Sequence, residues 1–283
     1  MITAAIVLSS GSVPMPVLNA SSGEVLRVLH YASQFAKAGA PVPFGDKLYH
    51  QAGYFGNVVY AFDAAAGTQD WVQTAGTGIV QEGESLGVDE QYVYFYSAGS
   101  LNILSRADGS ISQSIVDPFF SSAGLSYYGS YFGAPILDGK GNIFTFSDNR
   151  APNQPRPLIA FARGQANFLW RTAASYINQP ALRATRLYAP RANSTIIDVI
   201  DTATGAVVSS IDVASGKPNL TSNVVVTESH LFVASMTETY AIDLTRAGNP
   251  VVWTIAQGGD LAISPDNLLL ISGSTGLFAY ALN

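Results

Sequence analysis

Short apolar strands recur along this chain of 283 residues, each closing on a turn led by a polar residue with glycine about four residues on. The turn markers Asn19, Asp63, Ser105, Arg163, Asp201 and Asp243 are spaced about 40 residues apart with one longer interval. No stretch sustains a helical period. These three observations predict an all-β chain, a β-propeller of four-stranded antiparallel blades in one domain spanning residues 1–283.

Each unit reads as strand A, a polar hairpin, strand B, a loop, strand C, an Asp-led turn with glycine, and strand D. The C–D segments are 17–29, 58–73, 101–116, 158–172, 196–211 and 239–255, and a seventh, 277–283, stops where its turn would begin. The A–B hairpins are GDKLY at 45–49, VDEQYVYF at 88–95, LDGKGNIFTF at 137–146, TESHLFV at 227–233 and SPDNLLLI at 264–271. Gly, Asp and Asn stand at their tips because a tight hairpin needs positive φ or a side chain that caps its own backbone. The expectation is seven blade units, the first lacking strand A and the last lacking strand D, or six blades if the terminal units merge. The opening MITAAIVLSSGSVP has no basic segment and too short an apolar run for a secretory signal, so it reads as a first strand.

Composition removes several function classes. Hydrophobic residues make up 48% and charged residues 12% of the chain, which excludes a disordered polymer. The net charge of −6 leaves no electrostatic footprint for nucleic acid. No apolar run is long enough to form a transmembrane segment. The absence of cysteine excludes disulfides, thiol catalysis and thiolate metal sites. The three histidines, His30, His50 and His230, are too scattered in sequence to suggest a metal site. A surface rich in Ser, Thr, Asn and Gly, with four lysines (Lys37, Lys47, Lys140 and Lys217), points to an exported protein, with its signal absent from this chain.

One run is diagnostic of the repeat. Ala61, Asp63, Gly67 and Trp71 resemble the A-x-D-x-x-T-G-x-x-x-W repeat of pyrroloquinoline-quinone-type propellers, with Ala66 in place of the usual Thr. Asp201, Thr204 and Gly205 match in another unit, where Ser209 replaces the Trp; Asp243, Gly248 and Trp253 match with a short insertion, and Trp170 ends the fourth version. The resemblance implies the propeller fold and is closer to the non-catalytic outer-membrane-assembly propeller lipoproteins than to the quinoprotein dehydrogenases. The dehydrogenases hold quinone and calcium with a catalytic Asp and often paired cysteines. No residue here carries over as a cofactor ligand, so no cofactor is expected. All three tryptophans fall in strand D, where an indole docks one blade on the next, and the turn aspartates read as backbone caps rather than metal ligands.

Because strands alternate direction, the A–B and C–D turns share one face and the B–C and D–A connections share the other. The second face carries the long, aromatic loops. Tyr127, Tyr128 and Tyr131, flanked by Tyr54, Phe55, Arg150 and Arg156, have the composition of a binding hot spot. Within the same 117–135 loop, Phe119 and Phe120 are the residues expected to be covered. No Ser/His/Asp or paired-carboxylate arrangement is fixed by spacing, and Asp138–Asn142 reads as a hairpin rather than a calcium loop. The function expected is a non-catalytic recognition scaffold of bacterial envelope type that binds a protein or peptide. The alternative is an enzyme, either a reduced quinoprotein-like dehydrogenase or a propeller hydrolase or lactonase.

Overall fold

A computed structural model describes residues 11–19, 21–33, 40–52, 58–74, 85–97, 99–120, 134–147 and 155–282. Among them every regular element is a strand. The first sheet pairs β1 (Gly11–Leu18) with β2 (Val25–Ser33). Five four-stranded sheets follow, each strand beside its sequence neighbour. The second sheet is β3 (Val42–Phe44), β4 (Lys47–Ala52), β5 (Val58–Asp63) and β6 (Gln69–Thr74). The third is β7 (Gly87–Val88), β8 (Tyr92–Ser97), β9 (Ser100–Ser105) and β10 (Ile111–Val116). The fourth is β11 (Ile136–Leu137), β12 (Asn142–Phe146), β13 (Leu158–Ala162) and β14 (Trp170–Arg171).

The fifth sheet is β15 (Ala181–Arg183), β16 (Arg186–Pro190), β17 (Ile196–Asp201) and β18 (Val207–Asp212). The sixth is β19 (Val225–Val226), β20 (His230–Ala234), β21 (Thr239–Asp243) and β22 (Val251–Ile255). The last has three strands, β23 (Asp260–Ile263), β24 (Leu268–Gly273) and β25 (Gly276–Ala281). Among the described residues these match the seven units expected, five with four strands and two with fewer. The first unit shows only its C and D strands among the described residues, and most of the opening segment read as a first strand lies outside them.

The chain divides into two compact units, residues 1–154 with 159–169, and residues 155–158 with 170–283. In the first, Tyr49, Val59, Ala61, Val93, Phe95 and Leu104 form one buried layer, and Tyr94, Tyr96, Ile103, Ile143, Ile159 and Phe161 form another. In the second, Ile197, Val199, Leu231, Val233 and Ile242 are buried together, while Phe232, Ala241, Leu261, Leu269 and Ile271 make a separate layer. Strands B and C are buried along nearly their whole length, as in β4, β5, β8 and β9. Sheet packing on both faces explains why these strands read as unbroken apolar runs instead of alternating ones. Strand D is the outer rim, and β6, β10 and β18 are mostly exposed.

The repeated turn has one physical design. Asp63 Oδ1 accepts the N–H groups of Ala65 and Ala66 at 2.8 and 2.6 Å, Asp201 Oδ1 does the same for Ala203 and Thr204 at 3.1 Å each, and Asn19 Oδ1 serves Ser21 and Ser22. A register shift near the turn, as between Ala61 and Phe62 or Val199 and Ile200, accompanies it. Asp138 likewise caps its hairpin, accepting from the N–H groups of Lys140 and Asn142 at 2.7 and 3.0 Å. The turn acids are thus occupied by their own backbone.

Candidate functional site

The self-capped turns leave one side of each blade regular, so the B–C and D–A connections carry the variation. Tyr54, Phe55, Tyr127, Tyr128, Tyr131 and Arg150 lie outside the described residues. Arg156 lies within them and is only 3% exposed. Its backbone bridges Tyr176, with Arg156 N–H donating to the Tyr176 carbonyl at 2.9 Å and the reverse bond at 2.7 Å. Arg156 is thus buried where a surface contact was expected. Arg183 donates to the Glu228 carbonyl. At the start of the 117–135 loop, Phe119 meets Phe168 of the fourth sheet edge-on at 5.3 Å but stays 41% exposed, contrary to the expectation that it is covered, whereas Phe120 packs on Gly99 of its own sheet.

Within each unit one buried carboxylate holds such a connection in place. Asp117 follows strand D of the third sheet and is 1% exposed. It accepts from Tyr96 Oη and Ser147 Oγ at 2.8 Å each, so the D–A loop is tied to the ends of two B strands. Asp198 projects from β17 and is fully buried. It accepts a two-toothed bond from Arg191, with Nη2 to Oδ1 at 2.7 Å and Nε to Oδ2 at 3.1 Å. Ser210 Oγ donates to Oδ1 at 2.7 Å and Tyr176 Oη to Oδ2 at 3.1 Å. The fork geometry and four donors offset the cost of burying the charge. Burial and the neighbouring carboxylate push the Tyr176 phenol well above its usual range, so it stays a protonated donor. The Arg191 side chain remains 41% exposed, a guanidinium held in a fixed orientation at the surface.

Arg191 and Tyr176 were not singled out from sequence. The available signal was Asp198 itself, an acid in the middle of the apolar run IIDVID, where a buried strand tolerates a charge only if it is paired.

A cleft of about 690 Å³ lies in the second unit, lined by residues of β20, β21, β22 and β25 together with the hairpins beside them. Ser229 Oγ and His230 Nδ1 stand 2.8 Å apart on its wall. Among the described residues no carboxylate bonds the other ring nitrogen, because Asp243 is held by Thr245 and Arg246. The pair therefore lacks the acid that orients imidazole in a nucleophilic triad. Two of the three strand-D tryptophans dock as the repeat predicts: Trp71 Nε1 donates to the Arg106 carbonyl at 3.1 Å and Trp170 Nε1 to the Thr202 carbonyl at 2.9 Å.

The comparisons agree with this geometry. Residues 5–208 match the family model described as outer membrane protein assembly factor BamB, well over half of the 283 residues. The chain belongs to the BamB family. No curated protein sequence matches it. Among solved structures, BamB from Moraxella catarrhalis aligns with a TM-score of 0.67 at 12% identity, over 95% of this chain and 80% of that one. The shared fold is the β-propeller, carried by the buried B and C strands and capped turns rather than by identical residues. The BamB family model stops before the sixth and seventh sheets, so the cleft beside β25 lies outside the matched segment.

Proposed function

We propose that this chain is a non-catalytic recognition scaffold of the bacterial envelope, a single propeller domain that binds a protein or peptide through its B–C and D–A loops. Its BamB-family membership supports a role in outer membrane protein assembly and export from the cytoplasm. One observation carries the choice of face. The loop side is braced from within by buried carboxylates, and Arg191 is held there half in solvent by Asp198, whereas the opposite turns spend their polar groups on themselves. A surface ordered before binding loses less entropy when a partner arrives. Tyr127, Tyr128, Tyr131, Tyr54, Phe55 and Arg150 are the proposed contacts, with Arg156 supporting them.

The test is capture of envelope proteins by the immobilised chain. The Tyr128→Ala, Tyr131→Ala double variant should lose capture with its fold intact, since a buried aromatic anchor contributes about 2 kcal/mol or more, roughly thirtyfold in affinity. An Asp46→Ala, Asp266→Ala control on the opposite turns should keep it. Capture that survives the tyrosine changes and fails with the control would place binding on the wrong face.

A further inference from the structure

The seam between the second and third sheets opens among the turns into a cleft of about 600 Å³. Lys47, Tyr49 and Trp71 reach it from the second sheet, and Glu90, Gln91 and Arg106 from the third. Tyr49 and Trp71 form its floor. Both pair with Ala61, so they stand on one face of the sheet, buried against Val93, Phe95 and Leu104. Tyr49 is 0% exposed, and among the described residues its hydroxyl has no hydrogen-bond partner. A buried hydroxyl left unmet is costly and calls for a partner.

The two cations at the cleft are not equivalent. Lys47 Nζ is held by Asp70 at 2.6 Å and Asp63 at 3.6 Å. Arg106 is fixed in place but underused. Its backbone N–H donates to the Gln91 carbonyl at 2.9 Å, and its carbonyl accepts from the Trp71 indole at 3.1 Å. Its guanidinium lies over the Phe44 ring at 4.8 Å and donates through Nη1 to the Asp89 carbonyl at 3.2 Å. Among the described residues Nε and Nη2 donate to no protein group. The carboxylate beside it, Glu90, stands 3.7 Å from Nη1 and is 87% exposed, too far for a hydrogen bond and free to move aside.

These unmet donors specify the occupant. The Nε–Nη2 edge of a guanidinium matches the two oxygens of a carboxylate, and a carboxylate seated there gives the Tyr49 hydroxyl an acceptor. The walls carry Asp46, Asp70 and Glu90 against Lys47 and Arg106, so a singly charged group is favoured over a phosphate dianion. The cleft has room for residues behind the carboxylate, and Gln91 offers a side-chain amide to their main-chain groups. Because Tyr49 and Trp71 close the seam from below, a ligand enters from one side. A chain end can do so, whereas an internal acidic residue trails chain in both directions.

We infer that the cleft between the second and third sheets binds the C-terminal carboxylate of a peptide, with Arg106 as its fork and Tyr49 as a further donor. The site lies among the turns and is independent of the loop reading. The probe is a fluorescein-labelled peptide, GSGSAS, with a free C-terminus, titrated onto the full chain by polarisation. Its C-terminal amide and the amide of GSGSAD, whose one carboxylate is a side chain, are the comparison arms. The free acid should bind saturably, and its amide about tenfold or more weakly. Arg106→Gln should weaken the free acid about tenfold or more, with circular dichroism confirming the fold, and Tyr49→Phe roughly threefold. Glu90→Gln, which removes the competing carboxylate from an exposed position, should tighten binding by about twofold to threefold, an outcome that a purely structural role for these residues would not produce. Lys140→Gln, which removes an exposed cation from another hairpin, should leave binding unchanged. Absence of saturable binding, equal binding of the acid and its amide, indifference to both Arg106→Gln and Glu90→Gln, or preference for the aspartate-ended amide would each overturn the proposal.

Discussion

His50 is a histidine that the fold keeps uncharged. It sits in β4 at 0% exposure, its ring edge-on to Tyr31 at 4.3 Å, and among the described residues neither ring nitrogen has a hydrogen-bond partner. Burial lowers its pKa from 6.5 to about 4. Between these values the unfolded chain binds a proton that the folded chain refuses, so stability falls as pH drops from about 6.5 and levels off below about 4. At roughly 1.4 kcal/mol per pH unit the full loss is about 3 kcal/mol, most of it reached by pH 4.5. The assay is urea unfolding of the native chain and His50→Phe at several pH values between 7.5 and 4. Phenylalanine keeps the ring packing and removes two unsatisfied polar atoms, so it should be neutral or mildly stabilising at pH 7.5. The advantage of His50→Phe should then widen by about 3 kcal/mol on acidification. The turn carboxylates Asp63, Asp201 and Asp243, held low by their backbone and side-chain hydrogen bonds, act equally in both proteins and cancel. Parallel pH profiles for the two proteins would refute the reasoning.

Three further outcomes are expected. Gly109→Ala should destabilise by about 3 kcal/mol, combining a positive φ with a clash against Trp71, whereas Gly45→Ala, at positive φ in open space, should cost about 1 kcal/mol; denaturant midpoints measure the difference. Asp198→Ala should cost about 3 kcal/mol by leaving Arg191, Tyr176 and Ser210 without their acceptor, the low end of the range for breaking a buried pair because Arg191 is part-exposed; equal stability would show that the hub braces nothing. Pyrroloquinoline quinone with calcium should leave the melting temperature unchanged within about 1 °C, and a saturable rise of several degrees would favour the dehydrogenase alternative.

Much of the architecture is written in local chemistry. The Asp- or Asn-led turn with glycine four residues on is a short-range device, complete within a few residues, so Asn19, Asp63 and Asp201 marked C–D hairpins without knowledge of the rest. The apolar runs of β8, β9 and β21 announce strands covered on both sides, and the placing of Trp71 and Trp170 in strand D foretold blade docking. Burial of individual polar residues was not legible, because it depends on neighbours distant in sequence. Arg156 resembled a surface anchor until Tyr176, 20 positions on, was seen paired with its backbone. Asp198 became a bracing group only when Arg191, Ser210 and Tyr176 converged on it.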